Sequence, residues 1–407
     1  MRGKWYGAAS LLVAATVTMS GCASSGTNGG TTGGGNTAPN TTSSSGSGNG
    51  SSTSTSTADW GTAQSAQAGG GMAALVAAAK KEGTLNLIAV PRSWAGYGAI
   101  IDAFKAKYGL KINSENPNGA SADEITAVKS TKGQDSAPDV LDVGNSYALD
   151  GAQSGLFAPY KVATWTDIPD ALKDSGGLWY SDYGGYLSIG CNAAKVGGTC
   201  PKTIKDLDNP AYKDKVALNG DPTEAAAAFS GVWAAALANG GSADDIQPGI
   251  DFFKKLNQDG NFNKTQASPQ TVQSGETPIV LDWDYLNAGY APTLKKAGIT
   301  WTTVVPTDGL VSSFYSQAIS LTAAHPAAAR LWEEFLYSQD KDGGQNGWLR
   351  GYARPIELPV MLKNGTADKA AADKLPTVTD TKPFAPTQAQ ITAAQNVVKK
   401  NWAAAVA

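Results

Sequence analysis

Four short stretches carry the side chains best equipped for chemistry. Asp282-Trp283-Asp284-Tyr285 alternates carboxylates with aromatic rings. Ser93, Trp94 and Tyr97 sit in a stretch bounded by Pro91 and Gly98, Asn145 and Ser146 follow Gly144, and Asp221 and Thr223 flank Pro222 ahead of Glu224. Carboxylates beside flat aromatic faces suit a small organic cation, through cation–π contact and charge-assisted hydrogen bonds. Each residue also has a plainer role. Trp and Tyr fill cores as well as line pockets, and Asp221 and Asp284 each precede a helix whose free amides they could cap. Asp282 stands apart, because a carboxylate ending an apolar strand is costly to bury unless something pairs with it; it is the expected charge partner of a bound cation. A competing arrangement uses the amides that open helices at residues 93–98 and 221–224, with Arg92 assisting, to hold an anion. The nearby acids oppose a phosphate or phosphonate there.

Other chemistry lacks its parts. The single His, His325, precedes Pro326 and is expected at a helix start, in a structural role. No Gly-x-Ser-x-Gly turn or Gly-rich phosphate loop accompanies it, and a zinc site would want His and Cys ligands. No catalytic residue, cofactor or metal is therefore expected. Paired carboxylates with aromatic platforms would also fit a secreted carbohydrate-active enzyme. The formal net charge of −3 offers no basic field for nucleic acid.

The N-terminus reads as an export signal. Arg2 and Lys4 precede an apolar run to Met19, then Ser20-Gly21-Cys22, so residues 1–21 are a signal peptide. Small residues before Cys22 resemble a lipobox, which implies lipidation of Cys22 and anchoring at the membrane surface. Residues 22–70, rich in Gly, Ser and Thr, form the lipidated Cys and a linker too polar to fold. Of three Cys, two then remain, and outside the cell Cys191 and Cys200 read as a disulfide.

Helix and strand periods position the four stretches. Helices are expected at 72–81, 97–108, 121–130, 223–239, 243–256 and 285–297; strands at 84–90, 110–113, 139–143, 215–218, 278–282, 300–305 and 317–321. The alternation predicts an α/β fold, with a β-α-β unit in parallel pairing near the start. Residues 183–190 and 305–309 read as crossings between two halves. Ligands of open α/β sheets lie beyond the carboxyl ends of strands, and there the four stretches fall.

The chain resembles the extracellular solute-binding proteins of bacterial ABC importers, in the group spanning spermidine/putrescine, ferric-ion, thiamine and aminoethylphosphonate binders. The resemblance rests on Glu82-Gly83-Thr84-Leu85, Ala137-Pro138-Asp139-Val140, Gly155-Leu156-Phe157-Ala158-Pro159-Tyr160, Pro201 to Leu207, and His325-Pro326 running into Leu331 to Ser338. It implies a two-lobed, type 2 periplasmic-binding-protein-like fold with two crossings and a ligand cleft between lobes. Lobe 1 would take residues 71–186 with a return segment at 309–345, and lobe 2 residues 187–308 with C-terminal helices at about 346–407. The implied role is non-catalytic capture of a small solute, a polyamine-like amine first, by a monomer that delivers it to permease subunits. Ferric ion or aminoethylphosphonate are the alternatives within the fold, and a ligand-sensing lipoprotein is one outside transport.

Overall fold

The structure is a computed structural model that describes residues 59–378, 384 and 386–407. Cys22 and the signal segment lie outside these residues. Helix α1 (Met72–Glu82) stops at Gly83, whose left-handed φ of 74° lets its N–H donate back to the Ala79 carbonyl. Strand β1 (Thr84–Ile88), helix α2 (Tyr97–Tyr108) and strand β2 (Lys111–Glu115) make the expected β-α-β unit, with β1 and β2 parallel. Next come α3 (Ser121–Ser130), β3 (Val140–Gly144), α4 (Asn145–Gln153), β4 (Phe157–Ala158) and β5 (Tyr180–Asn192). A second series follows: β6 (Val216–Leu218), α5 (Ala226–Ala238), α6 (Gln247–Gln258), α7 (Pro269–Ser274), β7 (Ile279–Trp283), α8 (Asp284–Lys296) and β8 (Trp301–Val304). The chain closes with β9 (Ser312–Ser320), α9 (Pro326–Leu336), α10 (Gly344–Arg350), β10 (Arg354–Pro355), α11 (Leu358–Asn364), α12 (Lys369–Ala372) and α13 (Gln388–Ala405).

Strand β5, 13 residues long, joins the two halves. Residues 180–186 pair with β9, which in turn pairs with β3; residues 187–192 pair with β7 and β8, and β7 continues to β6. This is the first expected crossing. The second return enters β9 at Ser312, opposite Tyr186, ahead of the expected Gln317. Polar Ser312 and Ser313 disguise the start of that strand. Helix α8 lies close on β5 because residue 190 is Gly: a Cβ there would collide with the Asn287 side chain of α8.

Two boundaries differ from expectation. Residues 59–70 belong to the body. Trp60 is buried, the Lys161 N–H donates to the Gln64 carbonyl, and Arg330 grips the segment from inside. The Arg330 Nε donates to the Ala63 carbonyl at 2.7 Å and its Nη2 to that of Gly61 at 3.2 Å, while the guanidinium lies over Tyr160. The composition is that of a linker, but one Trp and a distant Arg overrule it. The C-terminal stretch also divides. Gly347 of α10 abuts Ile100 of α2 on the first lobe, whereas on α13 Trp402 packs on Phe253 of α6 in the second. Arg330→Ala should leave those carbonyls unpaired and lower stability by about 3 kcal/mol. It should also expose residues 59–71 to protease before global unfolding; equal protection in the variant and wild type would refute the clamp.

The Cys191–Cys200 disulfide is present. His325 stands at the N-terminus of α9, as expected, with its Nδ1 at 2.9 Å from Asp139, which holds its pKa above the usual value. No helix among the described residues is long and apolar enough to cross a membrane.

Candidate functional site

A cavity of about 450 Å³ lies between the halves, at the carboxyl ends of β1, β3 and β6. That is within the usual range for small-molecule sites. The first lobe contributes Ala89, Ser93 and Trp94 after β1, Ser121 and Glu124 from α3, and Asp142 from β3. The second contributes Asn219 after β6, Ala225 to Ala227 at the start of α5, the 266–270 loop, and Leu286 and Tyr290 from α8. Tyr315 of β9 completes the wall. Ala89 adopts a φ of 52°, in the left-handed region that a side chain disfavours, where the chain turns out of β1.

The lining is one-signed. It includes two carboxylates, Glu124 and Asp142, and no Lys, Arg or His. Asp142 is only 6% exposed. Its Oδ2 accepts the Tyr183 hydroxyl at 2.9 Å, while its Oδ1 has no partner. Burial pushes its pKa up to about 7, against the Tyr183 hydrogen bond. Glu124 is 1% exposed and accepts the Asp142 N–H at 3.0 Å; burial, then the Asp142 charge, hold it well above the carboxylate range. Asp182, next below, is raised by the same two causes and accepts from Gln317 Nε2 at 2.7 Å. Arg92 offers nothing here, since it turns outward to Asp102 at 2.6 Å. The amino end of α3 reaches the chamber too, but the Asp123 side chain already accepts the Ala120 N–H there.

The aromatic wall is held by a relay. Trp94 Nε1 donates to the Tyr183 hydroxyl at 2.6 Å, and that hydroxyl donates to Asp142. The Trp94 ring meets Tyr285 and Tyr315 edge-on at 6.0 and 5.7 Å. One chain of contacts thus fixes the Trp94 ring and the Asp142 carboxylate relative to each other.

The sequence candidates separate into groups. Ser93 and Trp94 line the chamber. Tyr97 does not; it is a core residue between Trp332 and Trp348, and its hydroxyl accepts from Gln317. Asn145, Ser146 and Thr223 line a second, mostly apolar cavity of about 470 Å³, beyond Ala225 and Ala226. Asp221 is exposed and accepts the Thr223 N–H and hydroxyl at 2.8 and 2.6 Å, which is a local turn. Asp282, Trp283, Asp284 and Tyr285 are all buried beneath the chamber and none lines it. Asp282 accepts from Asn219, which does line it. Asp284 forms an ion pair with Arg354 and accepts the Tyr186 N–H, so it joins β5 to the second lobe. Tyr285 packs against Trp94 and Tyr183 from below.

Asp142, Glu124, Tyr315, Tyr290 and Asn219 escaped the sequence reading. The signal for Asp142 was present: a carboxylate inside Val140-Leu141-Asp142-Val143, under the same argument that singled out Asp282.

Two α/β lobes joined by two crossings around a polar chamber define a type 2 periplasmic binding protein. The solved structures agree at the level of fold. AfuA from Actinobacillus pleuropneumoniae, with exogenous fructose-6-phosphate bound, superposes with a TM-score of 0.61 at 19% identity over 79% of this chain and 97% of its own. Iron-bound HitA from Pseudomonas aeruginosa gives 0.53 at 20% identity over 78% and 97%. The Atu4243-GABA receptor gives 0.55 at 17% identity over 80% and 99%. No curated protein matches the sequence. Residues 135–383 match the profile of the bacterial extracellular solute-binding proteins, and the chain belongs to that family. The family implies a small-molecule solute and an ABC permease as partner.

Proposed function

We propose that the chamber captures a small solute carrying at least one protonated amine, polyamine-like in character, and hands it to the permease of an ABC importer. The carrying observation is the one-signed lining: Asp142 and Glu124 are among the lining residues, with no cationic side chain beside them. An ammonium entering there would pair with an ionised carboxylate and offset part of the cost of burying it. Trp94, braced by Tyr183, and Tyr315 supply ring faces for the carbon stem or the charge. An anionic solute would meet uncompensated carboxylates. Binding is non-catalytic, and closure follows from solute contacts to both lobes. The lobes divide near Tyr186 on β5, and the protein acts as a monomer tethered through a lipidated Cys22 on the outer face of the membrane.

Thermal melting against spermidine, putrescine, thiamine, aminoethylphosphonate, ferric citrate and fructose-6-phosphate tests this reading. A solute at about 100 times its dissociation constant stabilises the folded form by about 2.7 kcal/mol. Shifts with the amines are expected. Shifts confined to iron or the sugar phosphate would overturn it.

A further inference from the structure

We infer that Asp282 serves the chamber at one remove, as a positioning residue that decides which end of the Asn219 side-chain amide the solute meets. The identity of the solute here rests on the amine reading above; the geometry does not. Asn219 and Asp282 directly follow Leu218 and Leu281, paired neighbours on the parallel strands β6 and β7. Asn219 lines the chamber, and its Nδ2 donates to Asp282 Oδ2 at 3.0 Å. Asp282 has no exposure, and its Oδ1 is held by the Trp283 N–H at 2.8 Å. Its backbone is pinned as well. Ser188 Oγ donates to the Asp282 carbonyl at 2.9 Å and accepts from Asn287 Nδ2 at 2.9 Å.

Burial pushes the Asp282 pKa up to about 7, and above that pH the ionised carboxylate only accepts hydrogen bonds. It therefore takes the NH₂ end of Asn219 and leaves the Oδ1 end for the solute. That oxygen is an acceptor, which suits an ammonium N–H and adds to the acidic side of the chamber without adding charge. Asp282 is thus too deep to touch the solute, yet it sets the polarity of a residue that does. Its burial is consistent with this task, because the hydrogen bond to Asn219 lies on the only described side-chain path from Asp282 to the chamber wall.

The pair allows a swap experiment at pH 8 with spermidine as probe, read by calorimetric titration. In Asp282→Asn, the Trp283 N–H still holds Oδ1, so the new Nδ2 faces Asn219. The Asn219 amide must then flip and present its NH₂ to the solute, and affinity should fall about tenfold, the worth of one charge-assisted hydrogen bond. Adding Asn219→Asp gives one oxygen to accept from that Nδ2 and leaves the other as an acceptor for the solute. The double variant should return to within about threefold of wild type. Wild-type affinity in the single variant, or a double variant no better than the single, overturns the proposal. A ligand-free readout separates this from failure of the amine reading. The side-chain NH₂ resonances of Asn219 should show a hydrogen-bonded, slowly exchanging proton in wild type that is lost in Asp282→Asn. If wild type binds no amine, the amine reading fails; unchanged Asn219 resonances would sink the positioning role itself.

Discussion

Asp142→Asn is expected to weaken spermidine binding about 100-fold, or roughly 3 kcal/mol, while leaving the ligand-free protein at least as stable. The substitution keeps shape, and an amide oxygen can still accept the Tyr183 hydroxyl. What it removes is the ability to become an anion opposite a bound ammonium. In the empty protein that anion is a burden, because burial lifts the Asp142 pKa to about 7. Solute binding requires the ionised form, so a proton leaves as the amine enters. Wild-type affinity should be full above about pH 7 and fall by up to about tenfold per unit below it, whereas the variant should be flat. Ligand-free stability runs the other way. The folded-state pKa lies above the unfolded value of 3.8, so the native state holds the extra proton between the two and loses stability as pH rises through that window. Burial raises Glu124, Asp182 and Glu333 in the same direction. Melting of the empty protein should therefore fall between pH 5.5 and 8, by several degrees. Wild-type affinity in Asp142→Asn, or a pH-independent wild type, would remove Asp142 from the site.

Gly144→Val is expected to weaken spermidine about tenfold or more without touching the carboxylates, by holding the lobes apart. Gly144 ends β3 on the first lobe, and a Cβ there would lie 3.0 Å from the Ala226 Cβ on the second. Beside it the Tyr147 hydroxyl donates to the Glu224 carbonyl at 3.1 Å, another contact across the cleft. The Gly144 φ of −56° accepts a side chain, so the effect is a wedge between lobes and not a strained backbone. Solution scattering should show spermidine compacting the wild type, with the variant remaining extended. A variant that compacts and binds like wild type would show that this contact does not limit closure.

The parts of the fold legible in the sequence were those written in local periods. The β1-α2-β2 unit follows from residues 84–113 alone, and the amino-terminal position of His325 follows from Pro326. The site was legible by rule more than by residue. Of the four strand-end stretches, the one with Ser93 and Trp94 lines the chamber; Asn145, Ser146 and Thr223 line the second cavity, and 282–285 are buried beneath. The errors share one cause. Whether a polar side chain meets solvent, a cavity or a distant partner is decided by chain far away in sequence. Asp284 meets Arg354, and Glu124, within the helix expected at 121–130, is buried against the Asp142 backbone. Trp60 and Arg330 give residues 59–70 an ordered place that composition conceals. Neither pairing leaves a trace in a window of local sequence.

The Trp94–Tyr183 hydrogen bond also has an optical consequence. Trp94 is the one indole on the wall of the acidic chamber, held in a defined orientation against a phenol. A cation settling beside it changes the electric field along the ring, and the emission colour of an indole responds to that field. On the amine reading the protein would thus carry a built-in, label-free gauge of occupancy, whose signal Trp94→Phe would silence while the remaining tryptophans keep a constant background.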